Sequence, residues 1–285
     1  MAAIHDFDRR WIFLAMGVLV TTLYTLGSEK ALTNSEYVDS YYATIEALPE
    51  GSVVMLSADF DPASAAELLP AYTATIHHLL KRNLKVVNVA TWPPAPPYTR
   101  EEFYRIAPMY GAEYGTDWTA MGFLPGDDVA MGNIGQSLRS AYPKDDVDGT
   151  EYDNLPLMAG LGDNMEGVDL LITMSAGYPG ILEWIAQVGG RYETPILAAT
   201  TAVQTPDLFA FYPNQCVGFL GAATGATRYL QLIDELTDGA VEEVKLENQK
   251  RMMVQSWAHM LIILLIVVGN LIYFFGAKGK QGAKA

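Results

Sequence analysis

The feature that most constrains this chain is a run of 20 residues, 257–276, that contains no Asp, Glu, Lys or Arg (WAHMLIILLIVVGNLIYFFG). A helix rises about 1.5 Å per residue, so this run covers the roughly 30 Å hydrocarbon layer of a bilayer. Trp257 and Tyr273 stand near its two ends, where amphipathic rings suit the membrane interface, and Lys278 lies beyond it. A buried core helix is the alternative, but such helices rarely stay free of charge for so long. The run predicts a transmembrane helix over 256–276.

A second apolar run, WIFLAMGVLVTTLYTLG at 11–27, follows Arg9 and Arg10 directly and begins at Trp11. No A-x-A-like cleavage site follows it, which favours an uncleaved anchor over a signal peptide. We therefore expect an integral membrane protein of the cell membrane with two spans. Arg9, Arg10, Trp11, Trp257, Tyr273 and Lys278 are the expected interface residues.

Two spans place both tails on the same side of the membrane. Five basic residues flank the spans on the tail side and four on the domain side, so the charge count alone does not fix the orientation. Arg9 and Arg10 before an apolar run have the form of a signal anchor. They favour tails in the cytoplasm and the domain outside it.

The two runs divide the chain into five parts: an N-terminal tail (1–10), transmembrane helix 1 (11–27), a domain (28–255), transmembrane helix 2 (256–276) and a basic C-terminal tail (277–285). The domain is strongly acidic. Five of the 18 basic and two of the 33 acidic residues lie in the tails, which leaves 13 basic and 31 acidic residues between the runs. Nucleic-acid binding depends on clustered Lys and Arg, so we expect no nucleic-acid partner.

Within the domain, short β-branched runs alternate with amphipathic stretches, which is typical of a parallel sheet covered by helices. We therefore expect an α/β fold of the Rossmann-like three-layer kind, flanked by the two transmembrane helices. The predicted strands are 52–58, 85–91, 168–175, 194–200 and 215–221, and the predicted helices are 62–82, 101–107, 179–189 and 222–236. Residues 138–166 have the composition of a long irregular excursion, and we expect it to divide the domain into two parts.

Ligands of open α/β sheets bind beyond the carboxyl ends of the strands, so the residues there are the candidate ligand site. They are Asp59, Asp61, Ser175, Gly177, Tyr178, Thr200 and Thr201. Asp59 and Asp61 could form an acid–base pair or hold a cation, but a turn-forming Asp59 and an Asp61 that caps the helix after Pro62 are favoured.

The turn Ser175–Gly180 (SAGYPG) has glycines that would let backbone amides face a ligand or an oxyanion, and it equally suits tight packing. Without a G-x-S-x-G pattern, a nucleophilic serine is not favoured. The domain's two histidines, His77 and His78, are adjacent on one predicted helix, and we expect them along its flank rather than in a Ser-His-Asp triad. We expect no catalytic residues.

Metal and cofactor motifs are also missing from the sequence. Cys216 is the only cysteine, which excludes an internal disulfide and a cysteine cluster for zinc or iron–sulfur. The acidic run 145–151 does not match an EF-hand, because Lys144 would hold its first ligand position, so a solvated loop is expected. Residues 218–226 (GFLGAATGA) resemble a dinucleotide loop only loosely, and their small side chains favour close helix packing. We expect no metal and no cofactor.

Two polar residues, His259 and Asn270, lie within the second apolar run. His259 is near the interface, where solvation is the simpler interpretation. Asn270 is the intramembrane polar residue, and such a group can hydrogen-bond to a neighbouring helix.

Three segments together carry a resemblance: SADFDPASAAEL at 57–68, SAGYPG at 175–180 and QCVGFLGAATGA at 215–226. The chain resembles a family of uncharacterised, membrane-anchored bacterial and archaeal α/β proteins with N- and C-terminal transmembrane helices. The resemblance implies the order of anchor, α/β domain and second anchor, and it implies no activity.

The sequence thus favours a noncatalytic scaffold or interaction subunit of a larger membrane assembly, partnered by the lipid bilayer and other membrane subunits in a homo- or hetero-oligomer. The alternative is a membrane-tethered ligand-binding protein or hydrolase-like enzyme that uses Asp59, Asp61, Ser175 and Thr200. A transporter or channel is less favoured, because two spans form a pore only through oligomers.

Overall fold

The structure is a computed structural model that describes residues 10–26 and 35–281, with side chains described for 10–25 and 35–271. The chain divides into two compact units: Leu32–Lys245 form one, and Met1–Ala31 together with Leu246–Ala285 form the other.

The larger unit is built on a six-stranded sheet in which every neighbouring pair of strands is parallel. Its strands are β1 (Val53–Asp59), β2 (Lys85–Ala90), β3 (Trp118–Phe123), β4 (Leu170–Ser175), β5 (Ile196–Thr200) and β6 (Gly218–Gly221). They lie in the order β3-β2-β1-β4-β5-β6. The chain therefore builds outward in one direction from β1 and then in the other direction from β4.

Helices account for most of the remaining described chain. They are α1 (Arg10–Leu26), α2 (Glu36–Glu46), α3 (Ala65–Lys81), α4 (Ala95–Ile106), α5 (Asp127–Gln136), α6 (Leu138–Ala141), α7 (Pro156–Leu161), α8 (Ile181–Trp184), α9 (Gly190–Tyr192), α10 (Thr205–Leu208), α11 (Ala222–Asp234) and α12 (Glu242–Gln281). A π-helical turn, Ile185–Gly189, joins α8 to α9, and 3₁₀ turns lie at Ala107–Tyr110, Tyr152–Asn154 and Met165–Gly167.

The strands are buried on both faces, which is why they appear in the sequence as nearly continuous apolar runs. Alternate residues of β1 enter different cores: Val54 and Leu56 face one core and Met55 faces the other. Helices α2, α3, α4 and α11 cover the first face, and the helices from α5 to α8 together with α10 cover the second. The predicted α/β class, a parallel sheet between two helical layers, is confirmed.

Each of the five predicted strands is present, and β3 was not predicted. The expectation that residues 138–166 divide the domain into two parts is wrong. Residues 138–166 form short helices and turns whose apolar side chains, including Leu138, Met158 and Met165, lie in the second core. They belong to the same compact unit as the sheet, so they do not divide the domain.

Small residues around β6 allow helices to approach the sheet closely, as predicted for 218–226. A Cβ atom on Gly218 would lie 2.5 Å from the backbone nitrogen of Tyr41 in α2. A Cβ atom on Gly225 in α11 would lie 2.9 Å from the backbone of Leu220. These residues therefore serve packing of helices on the sheet.

The smaller unit contains α1 and most of α12. In the described chain one helical segment is long and apolar enough to cross a membrane, the 30-residue segment Glu242–Leu271, whose most apolar 18-residue stretch has a mean hydropathy of 2.0. Helix α1 has 17 residues and so a length of about 26 Å, which falls short of the roughly 30 Å hydrocarbon layer. Two membrane spans were predicted, and among the described residues one helix, α12, is long enough to be a span. Helix α12 begins at Glu242, well before the predicted start at 256.

The expected interface residues fall partly within these helices. Trp11 and Trp257 are both more than half exposed. Arg10 is the first residue of α1, and Tyr273 and Lys278 lie in the last third of α12. Arg9 lies outside the described residues.

Candidate functional site

The sheet brings three of the predicted site residues into one row. Asp59 at the end of β1 pairs in register with Ser175 at the end of β4, and Ser175 pairs with Thr200 at the end of β5. Strand order reverses between β1 and β4, which is where open α/β sheets form a ligand crevice. The strand-end row of Asp59, Ser175 and Thr200 thus stands at the expected position, and its chemistry depends on what each side chain contacts.

The Asp59 carboxylate is fully buried and its acceptor sites are occupied. Oδ1 accepts hydrogen bonds from the backbone N–H (2.8 Å) and the hydroxyl (2.7 Å) of Thr91. Oδ2 accepts from the Ser57 hydroxyl at 2.7 Å and from the Trp184 indole N–H at 3.2 Å. A carboxylate offers about four lone-pair positions, so these four donors leave little capacity for a ligand.

Burial raises the pKa of Asp59 above its usual value, and the hydrogen bonds from Thr91, Ser57 and Trp184 oppose that rise. A group with a raised pKa in a strand-end crevice is a candidate general acid or base. Here, however, the donors come from β1, from Thr91 directly after β2 and from α8, and the Thr173 hydroxyl of β4 lies 3.5 Å from Oδ2. The carboxylate therefore connects the sheet to the helix on its second face. Asp59 was expected to form a turn. In the structure it is the last residue of β1, and its side chain is held in this buried network.

Ser175 is buried and enclosed by its own turn. Its hydroxyl lies 3.2 Å from the Gly177 carbonyl and 3.3 Å from Gln204 Oε1, and Gln204 Nε2 donates to the same carbonyl at 3.0 Å. A Cβ atom on Gly180 would lie 1.9 Å from Ser175 Oγ, so this turn leaves no room around the hydroxyl. The glycines therefore serve tight packing rather than an oxyanion site.

The other predicted residues are spread around this row. Asp61 Oδ1 accepts the backbone N–H of Ser64 at 2.9 Å, and hydrogen bonds from Ser64 lower the pKa of Asp61. The contact closes a turn ahead of the helix, because α3 begins at Ala65 and Ser64 is its N-cap residue. The predicted helix start at Pro62 and the predicted helix-capping role of Asp61 therefore differ from the structure. Thr200 Oγ1 lies 3.3 Å from Thr205 Oγ1, and the carbonyl of Thr201 accepts the Thr205 hydroxyl at 2.9 Å.

Gly177 and Tyr178 lie at the outer end of the row. A Cβ atom on Gly177 would be 3.4 Å from the Trp92 ring, whose indole N–H donates to the Pro179 carbonyl at 2.8 Å. Tyr178 is 63% exposed and its hydroxyl donates to Asp128 Oδ1 at 3.2 Å. Trp92 therefore closes the turn after β4 from the side of β2.

The histidines lie inside the protein and not along a helix flank, so that expectation was wrong. His77 and His78 are both fully buried in α3. His78 contacts Glu46 (2.8 Å) and the Tyr229 hydroxyl (2.7 Å), and His77 contacts the Tyr110 hydroxyl at 2.8 Å. Burial lowers the pKa of each histidine to about 4. Both imidazole rings are therefore neutral and lie in the core. Neither ring hydrogen-bonds to Ser175.

The described residues contain no group of three or more His, Cys, Asp or Glu side chains arranged to hold a metal ion. In the acidic run 145–151, Asp145 is buried and its carboxylate accepts from the backbone N–H groups of Asp148 and Thr150 and from the Tyr114 hydroxyl. Asp145 therefore organises its own loop. Cys216 is buried, and burial raises the pKa of its thiol to about 12.

A cavity of about 440 Å³ lies beyond the ends of β5 and β6, where none of the predicted site residues lines it. Its lining residues are Ser35, Tyr37, Val38, Ala202, Thr205, Gly221, Ala222, Thr224, Gly225 and Arg228. Arg228 brings a positive charge, and its NH2 lies 3.4 Å from Asp39 Oδ1. Among the described residues, Arg228 Nε and Ser35 Oγ are buried without a hydrogen-bond partner. The cavity wall therefore carries two hydrogen-bond donors that no described residue uses.

Sequence reasoning missed Trp184, Gln204, Tyr142 and Arg228. Tyr142 is buried on the second face, where burial and the nearby Asp59 carboxylate raise its pKa. Gln204 follows β5 by four residues, so a search extended past the first turn after each strand would have found it. Trp184 and Tyr142 follow no strand end directly, and the sequence carries no comparable signal for them.

Comparison of the sequence with protein-family models and with curated proteins gives no match to either.

Proposed function

We propose that this chain is a noncatalytic, membrane-anchored scaffold or interaction subunit of a larger membrane protein assembly. The observation that carries the proposal is the occupied state of the strand-end row. Asp59 is saturated by four donors of the protein itself, and Ser175 is enclosed by Gly177, Gly180 and Gln204. When the polar groups at the carboxyl ends of the strands are bonded to the protein itself, they favour a structural role over a catalytic one.

Membrane anchoring is supported by α12, whose most apolar window is unburied in the described chain. An exposed apolar segment of this length is stable in lipid and costly in water. We propose that α1 is the second anchor, and that its short length is accommodated by local thinning of the bilayer or by snorkelling of Arg10. The resemblance to two-anchor bacterial and archaeal proteins supports the same arrangement.

The direct test is the mass of the full chain after extraction in a mild detergent, measured by native mass spectrometry. The proposal expects a particle larger than one chain, containing either further copies or other membrane proteins. A lone monomer under conditions that preserve other assemblies of the same membrane would contradict it.

Orientation is proposed with both tails in the cytoplasm. A Cys216→Ala background that carries either Ala285→Cys in the tail or Asp148→Cys in the exposed 145–151 loop can be treated with a membrane-impermeant maleimide on intact cells. Labelling at 148 and none at 285 is the expected result. The reverse pattern would place the domain in the cytoplasm.

A second function is favoured by the cavity beyond β5 and β6: a membrane-tethered binding protein for a small anionic ligand. The volume of this cavity lies in the range of small-molecule sites. Arg228 is paired with Asp39 through one NH2 group and keeps its Nε–H as a buried donor without a partner. The support comes from residues other than Asp59, Asp61, Ser175 and Thr200, so a hydrolase-like enzyme built on that set is not favoured.

This second function is tested by the thermal shift of the detergent-solubilised full chain with inorganic phosphate or a small dicarboxylate. A ligand at 100 times its dissociation constant stabilises the folded state by about 2.7 kcal/mol. We expect Arg228→Gln to abolish the shift, and the exposed Arg191→Gln to retain it. An absent shift in the unmodified chain, or an equal shift in both variants, would contradict the binding function.

A further inference from the structure

Three polar residues of α12, Ser256, His259 and Asn270, lie along one stripe of the helix. Ser256 and Asn270 are 14 residues apart, which is two heptads, and His259 follows Ser256 by three residues. At about 100° per residue these three positions fall within about 60° of one another around the helix axis. Ile263 and Ile266 fill the same stripe between them, so the stripe has the seven-residue spacing of a helix–helix seam.

This stripe faces away from the part of the helix that is already shielded. Between Val254 and Leu271 the half-buried residues are Val254, Ala258, Leu261 and Leu265. At the same 100° per residue, the centre of these four positions lies about 150° from the centre of the stripe around the helix axis. Ser256, His259, Ile263, Ile266 and Asn270 are all exposed. The stripe is therefore open to a further helix.

Asn270 has unused hydrogen-bonding capacity. Its Nδ2 donates to the Ile266 carbonyl at 2.9 Å, four residues back on the same helix. No described residue donates to Asn270 Oδ1, and an amide oxygen left unpaired in hydrocarbon is costly. Ser256 similarly donates to its own helix, at the Met252 carbonyl. Asparagine at one position of an apolar seam fixes register and partner number in helix pairs.

We propose that α12 self-associates in the bilayer through this stripe, as a parallel, left-handed pair in which Asn270 of one copy hydrogen-bonds to Asn270 of the other. The inference deepens the proposed function and rests on it. Two copies of one chain cross a bilayer in the same direction, so each residue meets its counterpart at the same depth. A carboxamide carries both donors and an acceptor and is therefore complementary to itself, and the seam around it, Ile263 and Ile266, is apolar and uncharged.

The experiment uses the full chain in its own membranes, washed with alkaline carbonate, in a Cys216→Ala background. Ile263→Cys places a thiol on the stripe, and Leu265→Cys places a matched thiol on the shielded face. After oxidation with a copper–phenanthroline catalyst, we expect a disulfide-linked dimer of two chains from Ile263→Cys and little from Leu265→Cys. Adding Asn270→Leu to Ile263→Cys should weaken association by about three- to tenfold, and Asn270→Gln should restore part of it.

The outcomes separate this inference from the proposed function. Equal cross-linking at both positions, or none at position 263, overturns the self-association. A product of Ile263→Cys whose mass is not that of two chains identifies a different protein on the stripe. That result overturns self-association and leaves the scaffold proposal standing. Release of the chain by the carbonate wash overturns the proposed function itself.

Discussion

Trp184 donates its indole N–H to Asp59 across the second face of the sheet at 3.2 Å, and both side chains are fully buried. The contact joins the last residue of α8 to the last residue of β1. Thr91, the residue directly after β2, donates to the same carboxylate, which therefore connects β1, the end of β2 and α8 at the point where strand order reverses.

This arrangement predicts that Asp59 contributes to stability rather than to ligand binding. Asp59→Ala would leave the Thr91 N–H, the Ser57 hydroxyl and the Trp184 indole N–H buried without an acceptor. We expect the free energy of unfolding to fall by about 2–4 kcal/mol. Tryptophan fluorescence during urea unfolding of the detergent-solubilised chain measures it.

The matched control for Asp59 is Asp148→Ala, which removes an exposed carboxylate from the acidic loop. We expect a change within about 0.5 kcal/mol, as for other surface substitutions. A stability of Asp59→Ala equal to that of Asp148→Ala would show that the buried carboxylate is not a structural hub.

Acid should destabilise the fold through His77 and His78. Burial lowers the pKa of each histidine from 6.5 to about 4, so the unfolded chain binds protons that the native chain excludes. Their contribution is fully present above pH 6.5 and is lost as the pH falls from 6.5 towards 4, by up to about 3 kcal/mol for each histidine. Asp59 acts in the opposite sense, because burial raises its pKa and protonation relieves the cost of its buried charge.

The check is the apparent melting temperature of the full chain between pH 7 and pH 4.5, compared with His78→Gln. Glutamine can keep a hydrogen bond to Glu46 or to Tyr229, and it does not titrate. We expect the variant to lose less stability over this interval than the unmodified chain. A pH dependence identical in both would mean that His78 does not bind the proton taken up on unfolding.

Gly218 should tolerate no side chain, because α2 lies directly over it. Gly218→Ala would put a methyl group 2.5 Å from the Tyr41 backbone nitrogen, and overpacking of this kind costs about 1–3 kcal/mol. Gly160→Ala in α7 is the control, since nothing lies within 4 Å of its added Cβ atom. Alanine favours a helix interior by about 0.5–1 kcal/mol over glycine, so Gly160→Ala should be neutral or stabilising. Thermal unfolding of the two variants side by side separates these effects, and equal melting temperatures would contradict the close approach.

The sequence predicted the central strands well, because strands buried on both faces appear as short apolar runs between turns. The runs at 52–58 and 85–91 differ from β1 and β2 by a single residue at their ends. Strand β3, Trp118–Phe123, lies at the sheet edge and was missed. Its sequence, WTAMGF, contains one β-branched residue and a glycine, so it has no β-branched run to indicate a strand.

The site was predictable in part for a similar physical reason. Asp59, Ser175 and Thr200 each end a parallel strand, so their alignment follows from the sheet alone. Their partners do not follow from it. Trp184 is 125 residues from Asp59 in the chain, and its indole reaches the carboxylate only because the helical layer packs on the second face. Whether a strand-end acid is open or occupied therefore depends on tertiary packing.

Membrane anchoring by α12 is measured by the fraction of the full chain that pellets with membranes washed in alkaline carbonate. We expect the chain to stay in the pellet, and we expect Leu264→Arg, which places a charge within the apolar part of α12, to lower the pelleted fraction. Recovery of the unmodified chain in the supernatant would contradict membrane anchoring and, with it, the proposed subunit role.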